Sequence, residues 1–263
     1  MQLTDTSNEG KYALIIGANG GIGQEVVKQM SELHTYSTIY TLSRSEARFD
    51  VVAGQRSSRV LHKVMDTADE VAVRNFINDL KIEGIKLSLV ICTTGILHQE
   101  TSQGSESDKV SLKPEKRLED IHEQQLTEYF RINSILPAIW LQNLVKVLDK
   151  QSAKIVFFSA RVGSISENAL GGWYGYRASK AALNMLVKTA AIEYKRRAPN
   201  TSLLCYHPGT VDTGLSKPFQ ANVKPGKLFT PAFTVTQLLS ICANLEAENS
   251  PFYLDWQGET IAW

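Results

Sequence analysis

The chain has 263 residues, 43% of them hydrophobic and 21% charged, with a formal net charge of +1. This suits one large α/β domain with a sizeable core, and the near-neutral balance gives no electrostatic argument for nucleic acid or an anionic membrane as partner. No apolar run reaches membrane-spanning length, residues 1–10 are polar and acidic, unlike a secretory leader, and three scattered cysteines, Cys92, Cys205 and Cys242, set up neither a disulfide framework nor a metal site. A cytoplasmic, reducing location is the expectation, and residues 1–10 read as a flexible N-terminus.

Residues 12–16 (YALII) form a short apolar run that reads as a buried strand. The turn GANGGIG follows, with Gly17, Gly20, Gly21 and Gly23, and residues 24–33 then take up helical periodicity through Val26, Val27, Met30 and Leu33. A strand, a glycine turn and a helix start in that order are the context of a phosphate cradle. Absent side chains let the backbone approach a pyrophosphate, and the helix N-terminus offers free N–H groups. Asn19 and Ile22 complete the turn. A methyltransferase could carry a similar turn, so the turn alone does not choose the cofactor. A second strand, 38–42, ends in Ser43-Arg44-Ser45. An acidic residue there would bind a ribose 2′-hydroxyl, whereas arginine pairs with a 2′-phosphate, so Ser43 and Arg44 point to NADP(H). A third strand, 60–65, closes at Asp66, which either faces an adenine amino group or starts or caps the helix of 69–81. Residues 87–92 are a fourth strand, with Gly95 just beyond it.

Residues 99–117 are polar and without periodicity and read as an exposed insertion. Residues 119–148 carry one long helical pattern whose apolar positions cover a wide face, more than packing against a sheet requires. Asn133 sits inside it, where asparagine is a poor helix former. Residues 154–158 are a fifth strand, followed by SARVGSIS. Residues 201–206 are a sixth, followed by HPGTVDTG, in which Pro208 and Gly209 end the strand sharply and leave Thr210 and Thr213 near its C-terminal edge, with Val211 a further cofactor-binding candidate. Residues 217–231, with three prolines, read as a loop able to cover a pocket. A helix at 236–245 and a strand at 252–254 close the chain. Strands alternating with helices argue for a single α/β domain with a doubly wound parallel sheet of about seven strands, a Rossmann fold spanning 1–263. Ligands in such sheets bind beyond the strand C-termini.

The stretch YGYRASKAA places Tyr176 and Lys180 four residues apart in a helix running to about Arg197. Positions i and i+4 share a face, so phenol and ammonium can point into one cleft. A cation beside a phenol lowers its pKa, and moving it from about 10 to about 7 takes roughly 4 kcal/mol. Such a tyrosine can exchange a proton with an alcohol or carbonyl oxygen.

In these features the chain resembles the short-chain dehydrogenase/reductase family, and in GSISENALGGWYGYRASKAALN its C-factor and sniffer-like carbonyl reductases. Gly17, Gly21 and Gly23 match the family's glycine turn, Asn133, Tyr176 and Lys180 its catalytic residues, and Pro208, Gly209 and Thr213 the segment closing over the nicotinamide. The resemblance implies hydride transfer from NADP(H) to a small-molecule carbonyl substrate. Tyr176 would protonate the developing alkoxide, Lys180 would lower its pKa and hold the nicotinamide ribose, and Asn133 would position a water. Two departures stand out: the family's NNAG is CTTG at residues 92–95, and the family's catalytic serine is Ala160 here. Ser159 should face the opposite side of the strand, and Ser164 and Ser166 are either substitutes or simple turn serines. The alternative reading is a nucleotide-binding signalling protein of the C-factor type with little turnover. The broad apolar faces of 119–148 and 174–197 lead us to expect a homodimer or homotetramer.

Overall fold

Strands β1 (Tyr12–Ile16), β4 (Leu87–Cys92), β5 (Ala153–Phe158) and β6 (Thr201–His207) are buried along nearly their whole length, as uninterrupted apolar runs in the middle of a parallel sheet must be. In the computed structural model, which describes residues 10–49, 58–99 and 111–263, they pair in parallel with β2 (Thr38–Ser43), β3 (Arg59–Val64) and β9 (Phe252–Asp255) in the order β3-β2-β1-β4-β5-β6-β9. Alternate residues feed opposite faces. Leu14 and Ile16 enter one core with Trp140, Leu183 and Val187, from α4 (Leu136–Leu144) and α5 (Tyr174–Arg197), and with α2 (Glu70–Ile82). Ala13 and Ile15 enter the other with Val26, Val27 and Met30 of α1 (Gly21–Glu32) and Val235 and Leu238 of α6 (Pro231–Ala243). This is the doubly wound α/β arrangement expected. The order reverses between β1 and β4, and such a switch point opens a crevice at the strand C-termini.

Several boundaries differ from the sequence reading, each for a local reason. The third strand runs 59–64 because it pairs from Thr38↔Arg59 to Ser43↔Val64. The last strand extends one residue further, through Asp255↔His207. Helix α6 starts at Pro231, five residues before the expected start, because Thr230 Oγ1 caps it by accepting the Phe233 N–H at 3.2 Å and proline suits a first helical turn. Residues 217–231 are not featureless: Lys217–Asn222 wind into a 3-10 helix, and Leu228–Phe229 (β8) pair with Thr210–Val211 (β7). Of the insertion at 99–117, residues 100–110 lie outside the described residues, as do 1–9. The flanks are anchored, since Gln99 pairs with Leu112 and both Leu112 and Glu115 are buried.

The long helix expected over 119–148 is divided. A 3-10 turn (Leu118–Asp120) precedes α3 (Glu123–Phe130), one π-helical turn (Arg131–Ile135) follows, and α4 completes the run. The extra residue in the π turn lets Asn133 and Ser134 face inward together, where Ser134 Oγ donates to the Ser179 carbonyl at 2.7 Å. Much of the wide apolar face is core: Tyr129, Leu136, Trp140 and Leu144 are all buried.

Candidate active site

At the end of β1 the chain reverses through Gly17, whose φ of +83° favours glycine. A Cβ there would come within 2.8 Å of Thr93 Oγ1 and 2.9 Å of Thr94 Oγ1. A Cβ on Gly23 would collide with the Gly17 carbonyl, so α1 can pack against the turn only with glycine there. Gly20 provides no side-chain cap, which leaves the first N–H groups of α1 available to an anion. The Gly17 and Ala18 N–H groups both donate to the Leu42 carbonyl, and Asn19 Nδ2 donates to Ser45 Oγ at 2.9 Å. The glycine turn and the end of β2 therefore meet. Arg44 is exposed there, while Ser43 is buried and donates to the Ser45 carbonyl at 2.6 Å. Asp69, not Asp66, caps α2, accepting the Val71 and Ala72 N–H groups. Asp66 is exposed and accepts the Ala68 N–H at 2.9 Å.

The turn opens into a cleft of about 490 Å³ that also holds Gly95, Tyr176, Lys180, Pro208 and Gly209, a size typical of a small-molecule site. Ile22 and Val211 line it as well, and Thr213 reaches back across it, since a Cβ on Gly21 would lie 3.1 Å from Thr213 Cγ2. Gly209 has φ +74°, and a Cβ there would meet the Phe229 ring at 2.6 Å.

Tyr176 and Lys180 are both buried, with Lys180 Nζ 5.7 Å from the tyrosine ring centre. The ammonium donates to the Phe158 carbonyl at 2.8 Å, and burial pulls its pKa down to about 8. Burial pushes the Tyr176 phenol up, with the nearby Tyr253 phenol adding to the rise. The lowering of the tyrosine pKa expected from the sequence is therefore not what this arrangement produces by itself: burial dominates, and the Lys180 ammonium stands 5.7 Å from the ring centre with a hydrogen bond to a backbone oxygen. Asn133 is fully buried. Its Oδ1 accepts the Ile96 N–H at 2.9 Å, and its Nδ2 donates to the Ile96 carbonyl and to Ser179 Oγ, both at 3.0 Å. It pins the backbone next to Gly95 against α5.

Ala160 lines the cleft and its carbonyl accepts from the Tyr253 hydroxyl at 2.7 Å. Ser159 Oγ is committed to Asn184 Oδ1 at 2.7 Å. Neither turn serine lines the cleft: Ser164 Oγ accepts the Glu167 N–H in a separate groove, and Ser166 Oγ donates to the Trp263 carbonyl.

The family model for short chain dehydrogenases matches residues 11–224. The chain belongs to the short-chain dehydrogenase family. Among curated relatives, this dehydrogenase is 27% identical over 220 residues to a benzil reductase ((S)-benzoin forming) of Saccharomyces cerevisiae, covering 82% of this chain and 77% of that one. Among solved structures it is similar to the carbonyl reductase Sniffer of D. melanogaster, with a TM-score of 0.79 at 19% identity, covering 97% of this chain and all of that one (100%). An NADPH-bound carbonyl reductase from chicken fatty liver superposes with a TM-score of 0.76 at 23% identity over 97% of this chain and 99% of that one. At these identities the structural likenesses speak for the fold.

Sequence reasoning missed several residues of the dehydrogenase cleft. Trp173, Phe219 and His207 line it. Arg161 also lines it, held by Asp255 at 2.7 Å and Glu167 at 2.9 Å. Glu115 supports it: its carboxylate accepts from Gln125 Nε2 at 2.8 Å and from the Gly175 N–H at 3.1 Å, at the start of α5. A glutamate in a polar stretch carries no local signal of burial. The one visible clue was Trp173 between two glycines and Tyr174.

Among the described residues no helix is long and apolar enough to cross a membrane, and no cluster of His, Cys, Asp or Glu could hold a metal.

Proposed function

We propose that this short-chain dehydrogenase is an NADPH-dependent carbonyl reductase, with Tyr176 as the general acid. The observation that carries the reading is that Tyr176 and the glycine turn line one cleft together with Lys180 and Gly95. The residues present fit a phosphorylated dinucleotide. Gly17 and Gly23 leave the space that side chains would fill, and beside that cradle Thr94 Oγ1 is a buried hydroxyl without a hydrogen-bond partner among the described residues. In this reading Gly17, Asn19, Gly20, Gly21, Ile22 and Gly23 hold the pyrophosphate, Ser43 and Arg44 the 2′-phosphate, and Asp66 the adenine. Gly95, Pro208, Gly209, Val211 and Thr213 surround the nicotinamide end, with Tyr176 and Lys180 at its ribose. The bound nicotinamide supplies the hydride.

The chain's own residues then handle the oxygen. A buried phenol stays protonated at neutral pH, so Tyr176 holds the proton that the carbonyl oxygen needs once charge develops on it. An alkoxide is far more basic than a phenolate, so transfer runs downhill at that moment. Asn133 keeps the Gly95–Ile96 backbone in place beside Lys180. Turnover of NADPH with simple aldehydes and ketones, lost in Tyr176→Phe, tests the reading. Tight NADPH binding without turnover of any carbonyl would favour a nucleotide-binding signalling role instead.

We also infer self-association through α5 and the π turn, because Ile135, Met185 and Ile192 are each more than half exposed (51%, 61% and 63%) on adjoining elements. A cytoplasmic location is part of the same reading. Light scattering that reads a monomer at high micromolar concentration would refute the association.

A further inference from the structure

Part of the cleft is lined by aromatic rings drawn from distant parts of the chain, Trp173, Tyr176 and Phe219. Phe219, on the 3-10 helix Lys217–Asn222, sits with its ring 5.1 Å from the Trp173 ring and 5.8 Å from the His98 ring, both edge-on. Trp173 in turn meets Tyr176 edge-on at 6.1 Å, and Tyr176 meets Tyr129 at 6.2 Å. The chain holds Trp173 in place at a backbone cost. Its φ is +53°, a region that bulky residues avoid. The conformation is fixed from both sides, since the Glu115 carbonyl accepts the Trp173 N–H while the Glu115 carboxylate accepts the N–H of Gly175. His98 Nε2 lies 3.0 Å from the Gly214 carbonyl and ties the segment after β4 to the one carrying Phe219.

The cations that line the cleft are engaged elsewhere. Lys180 donates to the Phe158 carbonyl and is assigned above to the nicotinamide ribose, and Arg161 is paired with Asp255 and Glu167. Among the described residues no Asp or Glu lines the cleft. The hydroxyls of Ser159 and Ser216 donate to Asn184 Oδ1 and to the Val211 carbonyl. Two polar atoms of the lining, His207 Nδ1 and Thr94 Oγ1, are buried without a hydrogen-bond partner among the described residues, but burial holds the His207 imidazole neutral and neither group offers an anion a positive charge; Tyr176 lines the same space and carries the proton donor proposed above. A carboxylate or phosphate lying against Trp173 and Phe219 would lose its hydration without an uncommitted cation in return, while a flat ring would gain edge and face contacts.

We propose that the substrate is an uncharged carbonyl compound whose carbonyl carbon is bonded directly to an aromatic ring, and that Trp173 and Phe219 are the residues that select it. The proposal rests on the carbonyl reductase reading. The ring lies against Trp173 and Phe219, and the carbonyl oxygen lies at Tyr176.

The test uses the full chain with saturating NADPH and four aldehydes: benzaldehyde, cyclohexanecarbaldehyde, 4-carboxybenzaldehyde and propanal. Conjugation makes benzaldehyde the less electrophilic of the first pair, so a preference for it has to come from binding. The proposal predicts kcat/KM for benzaldehyde at least about tenfold above cyclohexanecarbaldehyde and about a hundredfold above the carboxylated aldehyde. Phe219→Ala should lower kcat/KM for benzaldehyde by about tenfold, mainly through KM, and leave propanal within about threefold. Phe219→Leu, which keeps the bulk and guards against a folding defect, should also lose the aromatic preference. Equal losses on benzaldehyde and propanal, an unchanged preference in both variants, or preferred turnover of the carboxylated aldehyde would overturn the aromatic wall while leaving the reductase standing. If NADPH binds and none of the four is reduced, the reductase reading fails and the proposal falls with it.

Discussion

Lys180 Nζ donates to the Phe158 carbonyl at 2.8 Å, from a position on α5 where the side chain is almost wholly buried. A charge held this way is costly unless it is used, and its pKa is drawn down to about 8 by the loss of water around it. The consequence for stability has a definite sign. Below pH 8 the amine is protonated whether the chain is folded or unfolded, and the burial cost is fully present. Between about 8 and 10.5 the unfolded chain keeps the proton that the folded one releases, so stability rises with pH across that window. The buried cysteines and tyrosines oppose this at alkaline pH, because burial holds their protons on in the folded state. Lys180→Met isolates the lysine. In urea titrations the stability of the natural chain minus that of Lys180→Met should rise by up to roughly 3 kcal/mol between pH 8 and 10.5. A flat difference would mean that the amine is not desolvated.

Arg44 governs the choice between the two nicotinamide cofactors if the end of β2 holds the 2′-phosphate. Removing a charge-assisted contact costs roughly 1.5–3 kcal/mol, about 10- to 100-fold in affinity. Arg44→Ala should therefore weaken NADPH binding by that factor and leave NADH nearly unchanged, as read by calorimetry. Equal weakening of both, or tighter binding of NADH by the natural chain, would contradict the assignment.

Ala160 removes a hydroxyl that the family resemblance places beside the reacting oxygen, and no neighbouring serine makes good the loss. Ser159 is tied to Asn184, while Ser164 and Ser166 are turned to other partners. A donor aimed at developing negative charge is worth about 10²–10³ in rate. Ala160→Ser should accordingly raise kcat on simple aldehydes, whereas Ser164→Ala should change kcat little. A damaging Ser164→Ala beside a silent Ala160→Ser would reverse this account.

The sheet was legible in the sequence because its inner strands are continuous apolar runs bounded by glycine, proline or polar residues, and local composition decides such elements. The glycine turn and the Tyr176–Lys180 pair were legible because spacing alone sets their geometry. The break at Asn133 was not, since one added residue in a π turn barely disturbs the apolar periodicity on either side, and the bond to Ile96 that favours it is made across 37 positions of sequence. Glu115 escaped for the same reason: its partners, Gln125 and Gly175, are supplied by tertiary packing. The raised Tyr176 pKa was hidden because a sequence reveals which charge is near a phenol but not how much water both have lost.

The most direct test of the central claim is steady-state NADPH consumption by Tyr176→Phe with a reducible aldehyde, alongside its affinity for NADPH. Phenylalanine keeps the ring and its contacts with Trp173 and Tyr129 and removes only the proton donor. The account predicts unchanged NADPH affinity and a fall in kcat of about 10²-fold or more. Full activity in Tyr176→Phe would contradict it, leaving the cleft to a different chemistry or to nucleotide binding alone.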